Sequence, residues 1–278
     1  MLTTAGARYG RFRILRPIGA GAMGTVHVAV EAATERLVAL KTLALDDEEA
    51  RQRFVAEAQA LTRLDHPDIV TVLEAGQNAH VGWLAMELLS GCDLRRYTRA
   101  ARLLPEPLVL VVGQRLAQAL DHAHRRGIVH RDVKPSNVMV DWPAQRVTLT
   151  DFGIARLDDA GRTRSGVVPG SPDYMAPELL AGAPPDARSD LYALGVLLFE
   201  LLTGRRPHEA DSMGALLHSV AHAPAPDLRQ LRPDLPAPLA ELVARTLQRD
   251  PAKRAPDALA LAAQLHEVGR FLRTAPPG

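Results

Sequence analysis

The spacing of polar and apolar positions changes several times along the chain. Between residues 11 and 45 the two alternate, with glycines as punctuation. "TVHVAV" sets Val26, Val28 and Val30 on one face at period two, and "LVALKTL" is a second extended run, so this region predicts antiparallel strands. The period then lengthens in "DDEEARQRFVAEAQALTRL" (46–64). Phe54, Ala58, Leu61 and Leu64 form one helical stripe there, behind a first turn rich in acids. "DIVTVLEAG" and "VGWLAMELL" return to strand chemistry. After Gly91 the pattern turns helical. "PLVLVVGQRLAQALDHAHRRG" (107–127) predicts a long amphipathic helix ending at Gly127. Short strand-like pieces follow around 138–140 and 147–150, and helices separated by proline-rich connections dominate from Ser189 on. A small β-rich lobe followed by a larger helical one makes the fold class α+β, and the cleft between two such lobes is a natural ligand site.

Composition narrows the function classes. Hydrophobic residues are 47% of the 278, enough for a substantial core. The net charge of +1 argues against a dedicated nucleic-acid binder or a polybasic membrane anchor. Cys92 is the single cysteine, which fits a reducing compartment. "MLTTAGARYG" holds no signal-peptide run, and "LYALGVLLFELLTG" (191–204) is too short to span a bilayer and carries Glu200. It predicts a buried core helix. No membrane segment and a cytoplasmic location are the expectations.

"GAGAMG", comprising Gly19, Ala20, Gly21, Ala22, Met23 and Gly24, fits G-x-G-x-x-G. Alone it suits a dinucleotide fingerprint, a phosphate loop or an ordinary turn. A dinucleotide fingerprint must open a helix, and here alternating valines follow. A Walker loop needs Lys-Ser or Lys-Thr after its last glycine, and Thr25-Val26 stand there instead. The glycines therefore belong to a strand–turn–strand hairpin, whose backbone N–H groups can cover phosphates. Lys41 lies in the next apolar strand, where a lysine is commonly an edge or snorkelling residue. Glu57, on the following helix, supplies a partner for it.

"HRDVKPSN" (130–137) has no helical or strand period, and Pro135 makes it a loop dense in charge. "DFG" follows at 151–153. Phosphoryl transfer requires a carboxylate to orient the attacking hydroxyl, oxygen ligands for magnesium and a cation beside the transferred group. Asp132, the pair Asn137 and Asp151, and Lys134 meet these requirements in turn.

These motifs together with VALK and APE (176–178) make the chain resemble a protein kinase from about Tyr9 to Leu265. It is most similar to the bacterial, eukaryotic-like Ser/Thr kinases, through "GAGAMGTVHVA", "HPDIVTVLEAG" and "GSPDYMAPE". The resemblance implies a bilobal fold. Its small antiparallel β-sheet lobe, with one key helix, would cover about 9–88, a hinge about 87–92, the mainly helical lobe about 93–268 and a tail 269–278. It implies ATP as phosphoryl donor, Mg²⁺ or Mn²⁺ as cofactor, and protein substrates with Ser/Thr acceptors. Lys41, paired with Glu57, would contact the α- and β-phosphates. Asp132 would be the catalytic base, Lys134 the γ-phosphate cation, and Asn137 and Asp151 the metal ligands. Val26, Ala39 and Met139 would sandwich adenine, with Met86 behind it. Glu87 and Leu89 would offer it backbone hydrogen bonds, and Asp93 would face the ribose. His130 and Phe152 would stack with Leu61 and Val72 as an apolar spine. Asp190 would brace the catalytic loop, and Arg254 would pair with Glu178.

Lys134 and the APE segment both imply a protein hydroxyl acceptor. Ser171 stands where such kinases usually have threonine. Thr163 and Ser165 are expected autophosphorylation sites, with Arg131 as the phosphate's partner and self-association as the route for phosphorylation in trans. His122 and His124 on one helix, and His218 and His222 on another, are expected as surface or packing residues. A catalytically weak pseudokinase that binds nucleotide, and a small-molecule kinase, remain the alternatives. Turnover on a generic protein substrate separates the first. Whether a protein or a metabolite becomes labelled separates the second.

Overall fold

Six strands, each antiparallel to its neighbours, form a sheet in the order β1-β2-β3-β4-β6-β5. They are β1 (Arg8–Tyr9), β2 (Phe12–Gly21), β3 (Gly24–Glu31), β4 (Leu37–Ala44), β5 (Val72–Gln77) and β6 (Val81–Glu87). The computed structural model describes residues 6–21, 24–45, 47–153 and 171–274. Val28 pairs with Ala39, Ala39 with Met86, and Met86 with Val72, so these four share one face. Val26, Lys41 and Leu84 form a parallel row on that face. The opposite face carries a core of Phe12, Ile14, Ala29, Val38, Leu40, Trp83 and Ala85. The valine alternation of β3 thus marks the face shared with Lys41, while Ala29 on the other face is the fully buried residue. Both faces of this strand are covered at its centre, which a one-sided alternation does not express.

The first helix, α1 (Glu48–Leu61), begins where Asp47 accepts a hydrogen bond from the Ala50 N–H at 2.7 Å. It buries Ala50, Phe54, Ala58 and Leu61. Its seat is Gly82 of β6, where a Cβ would come within 3.0 Å of the Phe54 ring. Gly82 pairs with Leu43 and shares its face with Leu84 and Lys41. α1 therefore covers the face that bears Lys41, and Glu57 lies one turn beyond Phe54 on the same side of the helix.

The chain divides into two units, the first taking in the chain through Ser90 and returning at Gly153, the second comprising Gly91–Phe152 and the chain from residue 170. That division falls inside the segment 87–92. The second unit holds a three-stranded sheet of β7 (Cys92–Asp93), β8 (Val138–Asp141) and β9 (Arg146–Leu149). Its main helices are α2 (Glu106–His124), α3 (Ala187–Thr203), α4 (Met213–His222), α5 (Ala237–Thr246) and α6 (Ala258–Thr274). α3 is buried on nearly every side, and starts with a capping box between Asp186 and Ser189. Gly113 of α2 lets it approach α3, because a Cβ there would lie 2.8 Å from Leu198 Cδ2.

Two boundaries differ from the sequence expectation. α2 stops at His124, and Gly127, at φ +74°, closes a turn beyond it. The tail expected from 269 is helical through Thr274, since Leu261, Ala262, Leu265 and Gly269 continue one buried stripe. Among the described residues no helix is long and apolar enough to cross a membrane.

Candidate active site

The charged loop is organised from beneath by Asp190, in the first turn of α3 and 1% exposed. Its carboxylate accepts the His130 N–H at 2.7 Å, the Arg131 N–H at 2.8 Å and His124 Nε2 at 2.8 Å. A buried carboxylate needs this many partners, and the helix N-terminus favours its charge. The backbone it holds is strained, for Arg131 has φ +67°. His130 stacks on Phe152 with ring centroids 4.5 Å apart. Its Nδ1 accepts the Asp132 N–H at 3.2 Å, so its Nε2 carries the proton and donates to the Thr150 carbonyl at 2.9 Å. Burial holds His130 below the ordinary imidazole range, against the pull of Asp190. The ring is thus a neutral strut between two segments of the site.

Asp132 is buried, and Lys134 Nζ lies 2.7 Å from its Oδ2. Asn137 Nδ2 donates to the same oxygen at 2.9 Å and to the Asp132 carbonyl at 2.8 Å. Lys134 also donates to Ser171 Oγ at 2.8 Å, which ties this loop to the segment before Ala176. Val138 pairs with Leu149, so Asn137 and Asp151 emerge at the same end of the β8–β9 pair. Thr150 fixes that end through bonds from its N–H (2.8 Å) and hydroxyl (3.1 Å) to the Asn137 carbonyl. Asp151 follows at φ +58°, a conformation that Asp tolerates better than most residues. The Asn137 amide nitrogen is committed to Asp132, and its oxygen, which accepts the Ser136 hydroxyl at 3.2 Å, keeps a second lone pair for a ligand role. An amide oxygen and a carboxylate carried at the same end of one strand pair suit a hard divalent cation. Mg²⁺ takes only one or two protein carboxylates and fills its shell with water and phosphate oxygens.

The first unit contributes separately. Val26, Val72, Leu88 and Leu89 pack around Ala39, Val70 and Met86. Lys41 is buried in the same face, under α1. The Glu87 N–H is bonded to the Thr71 carbonyl at 3.0 Å. Gly24 adopts φ +114°, and a Cβ there would lie 2.1 Å from the Thr42 carbonyl oxygen, so only glycine fits. Ala22, Met23, Thr163 and Ser165 lie outside the described residues. In the second unit Asp93 pairs across the strands with Met139, and its carboxylate holds Arg95 by two bonds of 3.0 and 2.6 Å.

Arg254 and Glu178 form a bidentate pair at 2.6 and 2.7 Å. Besides Thr150, three residues have contacts here that the sequence did not suggest. His124 was read as surface or packing, yet its partner Asp190 lies 66 positions away. Tyr174 donates its hydroxyl to Glu200 in the last turn of α3, and burial pushes both groups upward in pKa. Asp173, beside Tyr174, holds Arg206 at 2.5 Å.

A family model described as "Protein kinase domain" matches residues 12–266. The chain is 42% identical over 261 residues to the serine/threonine-protein kinase PknJ of Mycobacterium tuberculosis, covering 90% of this chain and 44% of the relative. It is 36% identical over 249 residues to the serine/threonine-protein kinase PrkC of Bacillus subtilis, covering 88% and 38%. The chain therefore spans less than half the length of these curated relatives. Among solved structures, Rad53 1–466 in complex with AMP-PNP superposes with a TM-score of 0.78 at 26% identity, over 92% of this chain and 65% of that one.

Proposed function

Because this chain belongs to the protein kinase domain family, we propose that it transfers the γ-phosphoryl group of ATP to serine and threonine hydroxyls of proteins. The observation that carries this reading is the fixed carboxylate of Asp132. Lys134 and Asn137 hold it through one oxygen, so its orientation is set before a substrate arrives. A carboxylate has room for further hydrogen bonds. Asp132 then orients the acceptor hydroxyl and takes its proton as the new O–P bond forms and the bond from the γ-phosphorus to the bridging oxygen breaks, releasing ADP. Lys134 places positive charge beside that oxygen, where the transferred group gains electron density. Lys41 would hold the α- and β-phosphates, with Glu57 as its counter-charge. Val26, Ala39 and Met86 would enclose adenine. Since the Glu87 N–H is taken by Thr71, Glu87 would serve the purine through its carbonyl and Leu89 through its N–H. Asp93 would reach the ribose only by releasing part of its grip on Arg95. Asn137 and Asp151 would hold Mg²⁺ or Mn²⁺, which when bound offsets charge on the polyphosphate. The need for ATP and the lone Cys92 both suit the cytoplasm.

The test is labelled-phosphate incorporation into a generic protein substrate with ATP and Mg²⁺. Asp132→Asn should lower turnover by at least ~10²-fold, the usual scale for a lost general base, and leave ATP affinity nearly unchanged. Excess chelator should stop the reaction. A parent rate in Asp132→Asn would overturn the assignment. Mass spectrometry of the active protein after incubation with ATP tests autophosphorylation. Phosphate on Thr163 or Ser165 supports it, and a Thr163→Ala/Ser165→Ala variant as active as the parent would exclude a regulatory role.

A further inference from the structure

Apart from Lys41, Lys134 and Lys253, every basic side chain other than histidine is arginine. Several of these guanidinium groups meet a carboxylate or a carbonyl, among them Arg11, Arg51, Arg95, Arg206 and Arg254, while others stand alone at scattered positions. Arg99, Arg102 and Arg205 are exposed, and the described residues offer them neither. The fold gathers the three. Arg99 stands at the N-cap of the 3₁₀ turn Ala100–Arg102, and its backbone carbonyl accepts the Arg102 N–H at 2.8 Å. Gly204, which ends α3 at φ +75°, packs on that turn so closely that a Cβ would lie 2.9 Å from Ala100 N. Arg205 follows it directly. Arg232 reaches the same end of α3, with Nη1 on the Leu202 carbonyl at 2.9 Å. Its own charge is met by Asp234 at 2.5 Å and Glu106 at 3.9 Å.

We propose that Arg99, Arg102 and Arg205 form a docking surface for an acidic stretch of a protein substrate. Guanidinium groups match carboxylate and phosphate oxygens in planar pairs, and three of them suit a short run of Asp, Glu or phosphorylated side chains. Three guanidinium groups fall short of the roughly four to eight basic residues of a bilayer-binding cluster, and match a short acidic peptide instead. None of the three is an aromatic platform of the sort that single-stranded nucleic acid uses. The surface would raise the encounter rate with acidic substrates and set which proteins are modified, without touching the reacting atoms. Only its catalytic consequence rests on the kinase reading. The binding itself does not.

The experiment is fluorescence anisotropy with the whole chain and three labelled peptides. Each lacks Ser, Thr and Tyr acceptors, and they carry six glutamates, six glutamines, or two phosphoserines among glutamines. The glutamate or the phosphoserine peptide should bind and the glutamine peptide should not. Which of the two binds tighter identifies the preferred anion. The triple variant Arg99→Gln/Arg102→Gln/Arg205→Gln should weaken binding about tenfold, about twofold for each exposed pair. A charge-matched control, Arg63→Gln/Arg245→Gln/Arg270→Gln, should bind like the parent. Linking the glutamate run to a serine acceptor peptide should lower KM in the parent, leave kcat unchanged, and have no effect in the triple variant. Equal binding by parent and triple variant would overturn the proposal. So would an equal loss in the control, or arginine-dependent sedimentation with phosphatidylserine vesicles in the absence of peptide binding.

Discussion

Arg254 uses every N–H it has. Its five donors meet both oxygens of Glu178 and the carbonyls of Gln248, Arg188 and Arg249. The guanidinium also lies 4.9 Å from the centre of the Tyr192 ring. Its side chain has no exposed surface, so an unmatched charge here would find no water. Glu178→Gln should therefore destabilise the protein by ~3–5 kcal/mol, measured by urea unfolding. Arg254→Lys should do much the same, because an ammonium cannot fork onto two oxygens. A loss below ~1 kcal/mol in both variants would show that the pair is solvated after all. Residues of this kind are partly legible in sequence. Asp132, Lys134 and Asn137 stand out because charge packed beside a proline fits no periodic element. His124 does not, because its role is one bond to a partner that only the fold brings near. Thr150 acts through its backbone and hydroxyl, and nothing in its residue type distinguishes it from an ordinary strand end.

At the scale of elements, α1 is placed by an absence of side chain. Gly82 clears the space that Phe54 fills, and that contact puts Glu57 over the face of Lys41. Gly82→Ala should force the ring outward and cost ~1–3 kcal/mol, the usual scale of overpacking. Phe54→Leu in the same chain should recover part of that loss, which a double-mutant cycle would read. Additive losses would mean that the two positions do not bear on each other. The existence and type of α1, the long helices and the strands follow from their periods. Their ends do not. α2 yields to a turn before its glycine, and α6 outlasts the expected domain edge because its buried stripe continues. The two-sided burial of β3 was hidden for the same reason: alternation reports one face, and here a second layer covers the other.

At the scale of the whole molecule, burial disfavours the protonated form of three histidines among the described residues. His27, His130 and His208 all sit below the ordinary value of 6.5. The unfolded chain protonates them first on acidification, so their contribution to stability is complete above pH 6.5 and is lost as pH falls through their folded values. Melting temperature should hold from pH ~7.5 to ~6.5 and decline below it. His208→Gln, which keeps a partner for Ser219, should make the decline shallower. A melting temperature that rises on mild acidification would contradict this sign. The near-absence of lysine has a different consequence. Lys41 is buried and Lys134 is held by a carboxylate, which leaves Lys253 as the one exposed side-chain amine among the described residues. An amine-acylating dye at limiting dose should therefore mark the described residues at Lys253, giving a defined attachment point for surface immobilisation without any engineered cysteine. Peptide mapping after acylation would show it, and heavy modification of Lys134 or Lys41 at the same dose would show that their shelter is open.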